Sequence, residues 1–349
     1  MTSKRRSLED FFYLLSGILL FVFAIELLTS SAGAVAPELG EFMGFINNNF
    51  NALGFGWIAS YLMLSGYPVT VFGLTLFDSG AITEVSAFFI VNGSRLGASL
   101  IIILVGVTES LKNKELDIVD STSLGFLTLL ITYTIVAPAI VIGMFLLDVS
   151  ILNNALDLKF LSIIDIIYGP IVEPILGLTG PFAGIVLALL SLYIALSIFE
   201  KPFHRMKIEN FKSTWVNFLM ERVSYSFLMG AVLTFFSQSV ALSIGLIVPL
   251  YNRNFLQKRN LVPYIMGACV TTFGGTLVVA FLLGNITAIN LTLVVILSNL
   301  IACTVYLLFY RKYYRFISGL TNLFLQDGRR LIVLLFFMFV IPFILLLAI

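Results

Sequence analysis

Seven stretches of this chain, at about residues 11–31, 86–107, 121–147, 182–199, 261–283, 291–310 and 331–348, are apolar runs near the length a helix needs to cross a bilayer. That pattern leaves one fold class open. With no water in the bilayer core, each peptide group must find its partner inside the chain, so the spans are α-helices and the protein is an all-α polytopic membrane protein. Composition agrees: 59% of residues are hydrophobic and 11% charged, where a soluble domain averages about 25% charged. A net charge of +1 shows no nucleic-acid footprint. Cys269 and Cys303 sit inside apolar runs and read as small packing residues. Lys4, Arg5 and Arg6 precede the first run and Ala32-Gly33-Ala34 follows it, as in a signal peptide, but the run from Phe11 to Leu28 exceeds the ~7–15 apolar residues of a cleaved signal and is expected to be retained.

Charge orients the spans. With the N-terminus placed in the cytoplasm by Lys4, Arg5 and Arg6, alternation puts most of the 20 Lys and Arg residues on the cytoplasmic side. Lys159 falls outside, and Arg95 and Arg222 fall within or at the edge of membrane segments. The stretches 46–77 and 216–251 are too short to cross twice and are expected to be hairpins that dip partway. The stretch 161–178 carries Pro170, Pro174 and Gly177 and is expected to be broken. Irregular backbone at membrane depth must lie against protein or line a wet cavity, which is where transporters keep their sites.

The chain also repeats itself. One fixed offset along the sequence brings Gly56 onto Gly230, Ser60 onto Thr234, Ser65 onto Ser239, Leu76 onto Leu250 and Gly93 onto Gly267. The same offset lays span 86–107 on 260–281 and span 121–147 on 295–321. Span 11–31 begins beside cytoplasmic basic residues, whereas its counterpart 182–199 ends beside them. The two copies are therefore expected to be inverted in the membrane, with hairpin tips near Ser65 and Ser239 approaching at the midplane. On this reading the first repeat covers 1–147, a connecting or re-entrant segment 148–181, the second repeat 182–315 and a C-terminal span 316–349.

The segment Gly230-Ala-Val-Leu-Thr-Phe-Phe-Ser-Gln-Ser239 resembles the glutamine–serine motif of the type II sodium–phosphate cotransporter family. In that family a Gly-Ala-Asn-Ile-Gly-Thr-Thr motif follows in each half. Here Gly267-Ala-Cys-Val-Thr-Thr272 follows Gln238 at the same spacing as Gly93-Ser-Arg-Leu-Gly-Ala-Ser99 follows Leu64, and that spacing is the family's. The resemblance covers roughly 11–107 and 182–283 and implies a midplane site where phosphate and sodium meet. Carried over, Ser65 and Ser99 in the first half, and Gln238, Ser239 and Thr272 in the second, would bind substrate. Thr271 is added as an adjacent hydroxyl. Gly93, Gly97 and Gly267 would let backbone approach the ligand. The chain departs from the family at Leu64, where the family has glutamine, and at Arg95 and Cys269, where it has asparagine.

Arg95 stands apart. An arginine near the bilayer centre costs about 2.5–3.5 kcal/mol on insertion scales, and its guanidinium forks onto phosphate or carboxylate oxygens. It is expected either to bind the anion or to replace one coupling cation; Asp78 and Glu84 are the alternative structural partners. Glu26, in the first span, is a candidate cation ligand, and Glu173 lies between Pro170 and Pro174. The basic stretches 201–212 and 311–315 suit anionic lipid. Asn285-Ile-Thr287 matches a glycosylation pattern. No Walker or dinucleotide motif is present, and with a single His no nucleophile–base set is visible, so no enzymatic role is expected. The expectation is sodium-coupled transport of an inorganic anion, most simply phosphate. The alternatives are transport of another small anion or organic solute, and a non-transporting scaffold; whether copies associate is left open.

Overall fold

The computed structural model describes residues 3–112, 118–148, 161–204, 220–252 and 256–348. Lys114, Lys159, Arg205, Lys207, Lys212 and Arg253, which enter the charge argument, lie outside them. The described residues are all-helical: α1 (Ser3–Ala34), α2 (Ala36–Phe42), α3 (Asn49–Leu62), α4 (Tyr67–Asp78), α5 (Glu84–Lys112), α6 (Ile118–Leu146), α7 (Leu161–Thr179), α8 (Pro181–His204), α9 (Val223–Ser237), α10 (Val240–Asn252), α11 (Lys258–Thr271), α12 (Phe273–Leu283), α13 (Ile286–Leu308), α14 (Tyr310–Leu325) and α15 (Gly328–Leu346). Among the described residues seven segments are long and apolar enough to cross a membrane: Leu8–Ala34, Glu84–Ile103, Ser123–Leu146, Pro181–Phe203, Lys258–Leu283, Ile286–Leu308 and Gly328–Leu346. They coincide with the seven runs read from the sequence. Phe145, Leu178, Ile332 and Phe336 project outward; lipid, not water, matches such a surface.

Start signals are local. Asn48 accepts a hydrogen bond from the Asn51 amide at the head of α3, Asn285 accepts from Thr287 and Ala288 at the head of α13, and Asp327 accepts from Arg329 at the head of α15. The Asn285 amide nitrogen donates to Asp78 at 2.8 Å. Its side chain therefore serves as a cap and an inter-helix tie, not as a free glycosylation acceptor.

Two expectations fail in instructive ways. Pro170 and Pro174 do not break 161–178; both sit inside the continuous helix α7. Only the amides at those positions are lost, and a membrane helix tolerates that where neighbouring geometry adjusts. The equivalence of 121–147 with 295–321 also fails, because the helix is interrupted at Phe309 and a separate, amphipathic α14 begins at Tyr310, running through the expected boundary at 315/316. The cause is the change from an apolar run to Tyr310-Arg-Lys-Tyr-Tyr-Arg315. A third difference is smaller: Lys258–Leu283 is two helices meeting at Thr272. Thr271 and Thr272 bond back to the carbonyls of Gly267 and Ala268, at 3.0 and 2.7 Å, and Gly274-Gly275 follows, the usual ingredients of a helix kink.

Contact pairs set the direction of each helix. Gly17 abuts Phe199 and Gly184 abuts Ser31, so α1 and α8 run antiparallel. Gly93 rests on the Leu53 carbonyl and Gly97 on that of Trp57, so α3 and α5 run parallel; Gly267 rests on the Phe227 carbonyl and Thr271 donates to that of Ala231, so α9 and α11 do too. Gly125 meets Ile103 and Gly143 meets Phe88, making α5 and α6 antiparallel. Tyr306 donates to the Thr134 carbonyl while Gly143 lies by Ser298, making α6 and α13 antiparallel. Asn51 donates to the carbonyls of Leu345, Leu346 and Ala348 while Tyr61 donates to that of Met338, making α3 and α15 antiparallel. It follows that α13 and α15 run in opposite directions, and α14 joins them on one side.

Candidate functional site

The pairs α3–α4 and α9–α10 each form a helix, a short break and a second helix. At each break one residue adopts a left-handed conformation: Leu64 at φ 49° and Gln238 at φ 55°. Among the described residues these are the non-glycine positions with positive φ, and they correspond under the offset that aligns Gly56 with Gly230. That offset also carries the first residue of α3, Asn49, onto that of α9, Val223, and that of α5, Glu84, onto that of α11, Lys258. It carries the Gly56 contact with the Ile90 carbonyl onto that of Gly230 with Tyr264, and the Gly93 contact with Leu53 onto that of Gly267 with Phe227. A bulky side chain in the left-handed region costs roughly 1–2 kcal/mol. A cost incurred twice, at matching positions, shows that the surrounding helices hold both tips in place.

What the tips bring together differs from the expected list. Ser65 accepts from the Tyr67 amide at 3.4 Å and Ser239 from the Leu242 amide at 3.2 Å, so each hydroxyl organises the start of its own second helix. The residues that reach out of the tips are Tyr67 and Gln238, and both bear on Gly275, where a Cβ would collide with the Gln238 Oε1 and the Tyr67 ring and hydroxyl. Gly66 leans on the Ser94 carbonyl and Ala98 of α5, which carries Arg95 to the same junction. Across it, Thr70 and Thr276 approach at 3.3 Å.

Arg95 is 7% exposed. Its guanidinium carbon lies 5.6 Å from the centre of the Phe273 ring, and the Cys269 thiol is its other neighbour. No carboxylate among the described residues pairs with it. Of the alternative partners, Asp78 instead receives the Asn285 amide. Cys269 in turn meets Thr132 at 3.4 Å. Arg95 and Cys269 are themselves a corresponding pair under the offset that relates Leu64 to Gln238.

The other expected residues serve the scaffold. Gly93, Gly97 and Gly267 are covered by the carbonyls of Leu53, Trp57 and Phe227, so their missing side chains admit a neighbouring helix and leave no room for a ligand. The Ser99 hydroxyl donates to the Leu96 carbonyl at 2.7 Å. Thr271 bridges to the Ala231 carbonyl at 2.9 Å, and Thr272 bonds within its own helix. Glu26 accepts from Ser30 at 3.1 Å on α1.

No protein-family model, curated protein or solved structure matches this chain. The site has to be judged on its own unmet valences. Four buried side-chain atoms among the described residues find no hydrogen-bond partner: Asn51 Oδ1, Asn92 Oδ1, Thr234 Oγ1 and Gln238 Oε1. Three of them flank the junction. Asn92, fully buried, lies one turn before Arg95 on α5; Thr234, also fully buried, lies one turn before Gln238. Buried polar atoms are normally satisfied, so each orphan calls for an explanation. Sequence reasoning missed Tyr67, Asn92 and Thr234 as site residues. Thr234 was visible as the counterpart of Ser60, but Ser60 is satisfied by the carbonyls of Gly56 and Ser94 at 2.9 and 3.0 Å, and nothing in the sequence tells the two apart.

Proposed function

We propose that the chain is a secondary active transporter in which α3–α4 and α9–α10 are re-entrant hairpins of two inverted repeats, that its N-terminus is cytoplasmic, and that its substrate is a small inorganic anion, most simply phosphate, driven by sodium. The observation that carries this reading is Arg95: a buried guanidinium with no carboxylate among the described residues, at the point where the two tips converge. A fixed positive charge there is costly without an anion and well suited to one. A residue and its counterpart in the other repeat can touch only beside the axis relating the repeats, so on this reading the contact of Arg95 with Cys269 lies at the centre of the molecule. The orphan oxygens of Asn92, Thr234 and Gln238 are the complementary half, hard acceptors of the kind a small hard cation takes. The antiparallel α1–α8 pair is what inverted repeats require, the parallel α3–α5 and α9–α11 pairs repeat one contact in each half, and the directions derived above for α1, α3, α5, α6, α8, α9, α11, α13 and α15 fit the alternation read from charge.

Transport would proceed by alternate exposure of this junction. The anion would lie against Arg95, and the Tyr67 hydroxyl, for which no hydrogen-bond partner occurs among the described residues, would complete its shell. The cation would take the Gln238 carbonyl oxygen. Because a substrate of either sign alone would leave the other set of groups unmet, the two ions favour each other's binding, which is the physical basis of coupling. Leu64 favours one variation. With an apolar residue where the second tip has Gln238, the two tips are chemically unlike, the first offering Tyr67 beside Leu64 and the second Gln238, and that asymmetry suits an organic anion with a polar and an apolar end as well as it suits phosphate.

The test is uptake of labelled phosphate into liposomes containing the purified protein, with and without an inward sodium gradient. Sodium-dependent uptake that is abolished in Arg95→Gln and in Gln238→Ala supports the reading. Arg95→Gln with undiminished uptake and coupling refutes the role of Arg95. Folded wild-type protein that takes up no phosphate refutes phosphate as substrate and turns the same assay to organic anions.

A further inference from the structure

We infer that α14, together with the head of α15, is a binding surface for anionic phospholipid headgroups. The helix joins two membrane-length helices, α13 and α15, that run in opposite directions, so both of its ends lie on one side of the membrane and it runs along that face. Its inner side is pinned. Tyr313 meets the Thr134 hydroxyl at 2.7 Å, Phe324 packs on Phe126 with ring centres 6.0 Å apart, and Tyr310 donates to the Arg259 carbonyl. Tyr310, Tyr313, Ile317 and Thr321 are buried, a stripe of helical period. The outer side carries Arg311, Lys312 and Arg315, all exposed, with exposed Phe316 and Leu323 beside them.

The charges are uncompensated. Between Phe309 and Leu331 the cations are Arg311, Lys312, Arg315, Arg329 and Arg330, against a single carboxylate, Asp327. Asp327 is already used, capping α15 and holding Arg330 at 3.3 Å. Arg311, Lys312, Arg315 and Arg329 pair with no carboxylate among the described residues. Arg315 Nε reaches only the Arg311 carbonyl of its own helix, at 3.4 Å. Tyr310 fixes the patch beside exposed Arg259, which adds to the same field. A helix with cations and apolar side chains on one face, lying where a bilayer surface must be, has phospholipid as its standing neighbour. Charge complementarity selects the anionic ones, at roughly fivefold in affinity per cation near the surface. The inference does not depend on transport.

The experiment uses the full-length protein in mild detergent. Phosphatidylglycerol, phosphatidylcholine and inorganic phosphate are titrated separately; bound lipid is counted by native mass spectrometry and the unfolding temperature is followed. Wild-type protein is expected to prefer phosphatidylglycerol over phosphatidylcholine and to be stabilised by it. The R311Q/K312Q/R315Q variant is expected to lose about 100-fold in that preference, with its lipid-free unfolding temperature unchanged. R311K/R315K, which keeps the charge, is expected to retain it. Should the triple variant fail to fold, R311Q and R315Q singly carry the decision at about fivefold each. Equal binding of the two lipids to wild type, an undiminished preference in the neutralised variants, or the same stabilisation by inorganic phosphate would each overturn the inference.

Discussion

Gly267→Ala tests the packing that positions the second tip. The new Cβ would point into the Phe227 carbonyl, with the Ala231 amide nitrogen at 2.9 Å. Both obstacles are backbone, so no rotamer change relieves the clash and α9 must move away from α11. Overpacking of this kind costs about 1–3 kcal/mol, and the rigid neighbours argue for the upper end. Replacing Gly by Ala inside a helix returns about 1 kcal/mol in propensity, leaving a net loss of about 2 kcal/mol. Gly245, in α10, has nothing within 4 Å of an added Cβ. Gly245→Ala should therefore be stabilising by up to about 1 kcal/mol, a gap of about 3 kcal/mol between two chemically identical changes. Gly93→Ala, the counterpart in the first half, should behave like Gly267→Ala. Thermal unfolding of the purified variants in one detergent reads the difference, and sodium-driven uptake reads whether the displaced tip still works. If Gly267→Ala and Gly245→Ala were equally stable, the close approach of α9 and α11 would be wrong, and with it the equivalence of the two halves.

Leu64→Gly should be stabilising by about 1 kcal/mol, because glycine occupies φ 49° without the Cβ penalty; an unchanged or lower unfolding temperature would argue against the left-handed turn. Asn51→Ala should free the end of α15, since it removes the donor to three terminal carbonyls, at a cost of about 1–3 kcal/mol; limited proteolysis that fails to cut the C-terminus any faster would count against this anchor. Burial raises the Asp78 carboxyl above its ordinary value, and the Asn285 hydrogen bond opposes that only in part. The folded state thus holds this proton more tightly than the unfolded one, and the stability the group contributes is present at acid pH and lost as pH rises through the folded value. Asp78→Asn, which keeps an acceptor for Asn285, should therefore be more stable than wild type at neutral pH, the gap closing below about pH 4; a gap that widens on acidification would reverse the assignment.

Much of this architecture was legible in the chain. The seven membrane-length helices follow from apolar runs, because exposure to a bilayer is decided residue by residue and needs no knowledge of neighbours. The break positions were legible too: 46–77 and 216–251 are too short for two crossings, and the observed turns fall at Leu64 and Gln238 beside the expected tips. The offset between the halves was visible as a few weak matches, and it returns as matched dihedral angles and matched glycine contacts.

The site was legible only in part. Arg95 stood out because a buried charge is rare whatever surrounds it. Ser65, Ser99, Ser239, Thr271 and Thr272 could not be sorted in the same way, because a hydroxyl on a membrane helix either bonds its own backbone or is left free for a ligand, and the choice depends on what packs against it. Here each of them bonds backbone, while Asn92, Thr234 and Gln238 hold the buried atoms left unmet beside the junction. The glycines show the same division. That Gly93 and Gly267 demand close approach is written in their lack of a side chain; that a carbonyl of the neighbouring helix fills the space is decided only when α3 meets α5 and α9 meets α11. Hydropathy and chain length act locally and are carried by the sequence, whereas the partner of a polar atom is a property of two segments at once and exists only in the folded protein.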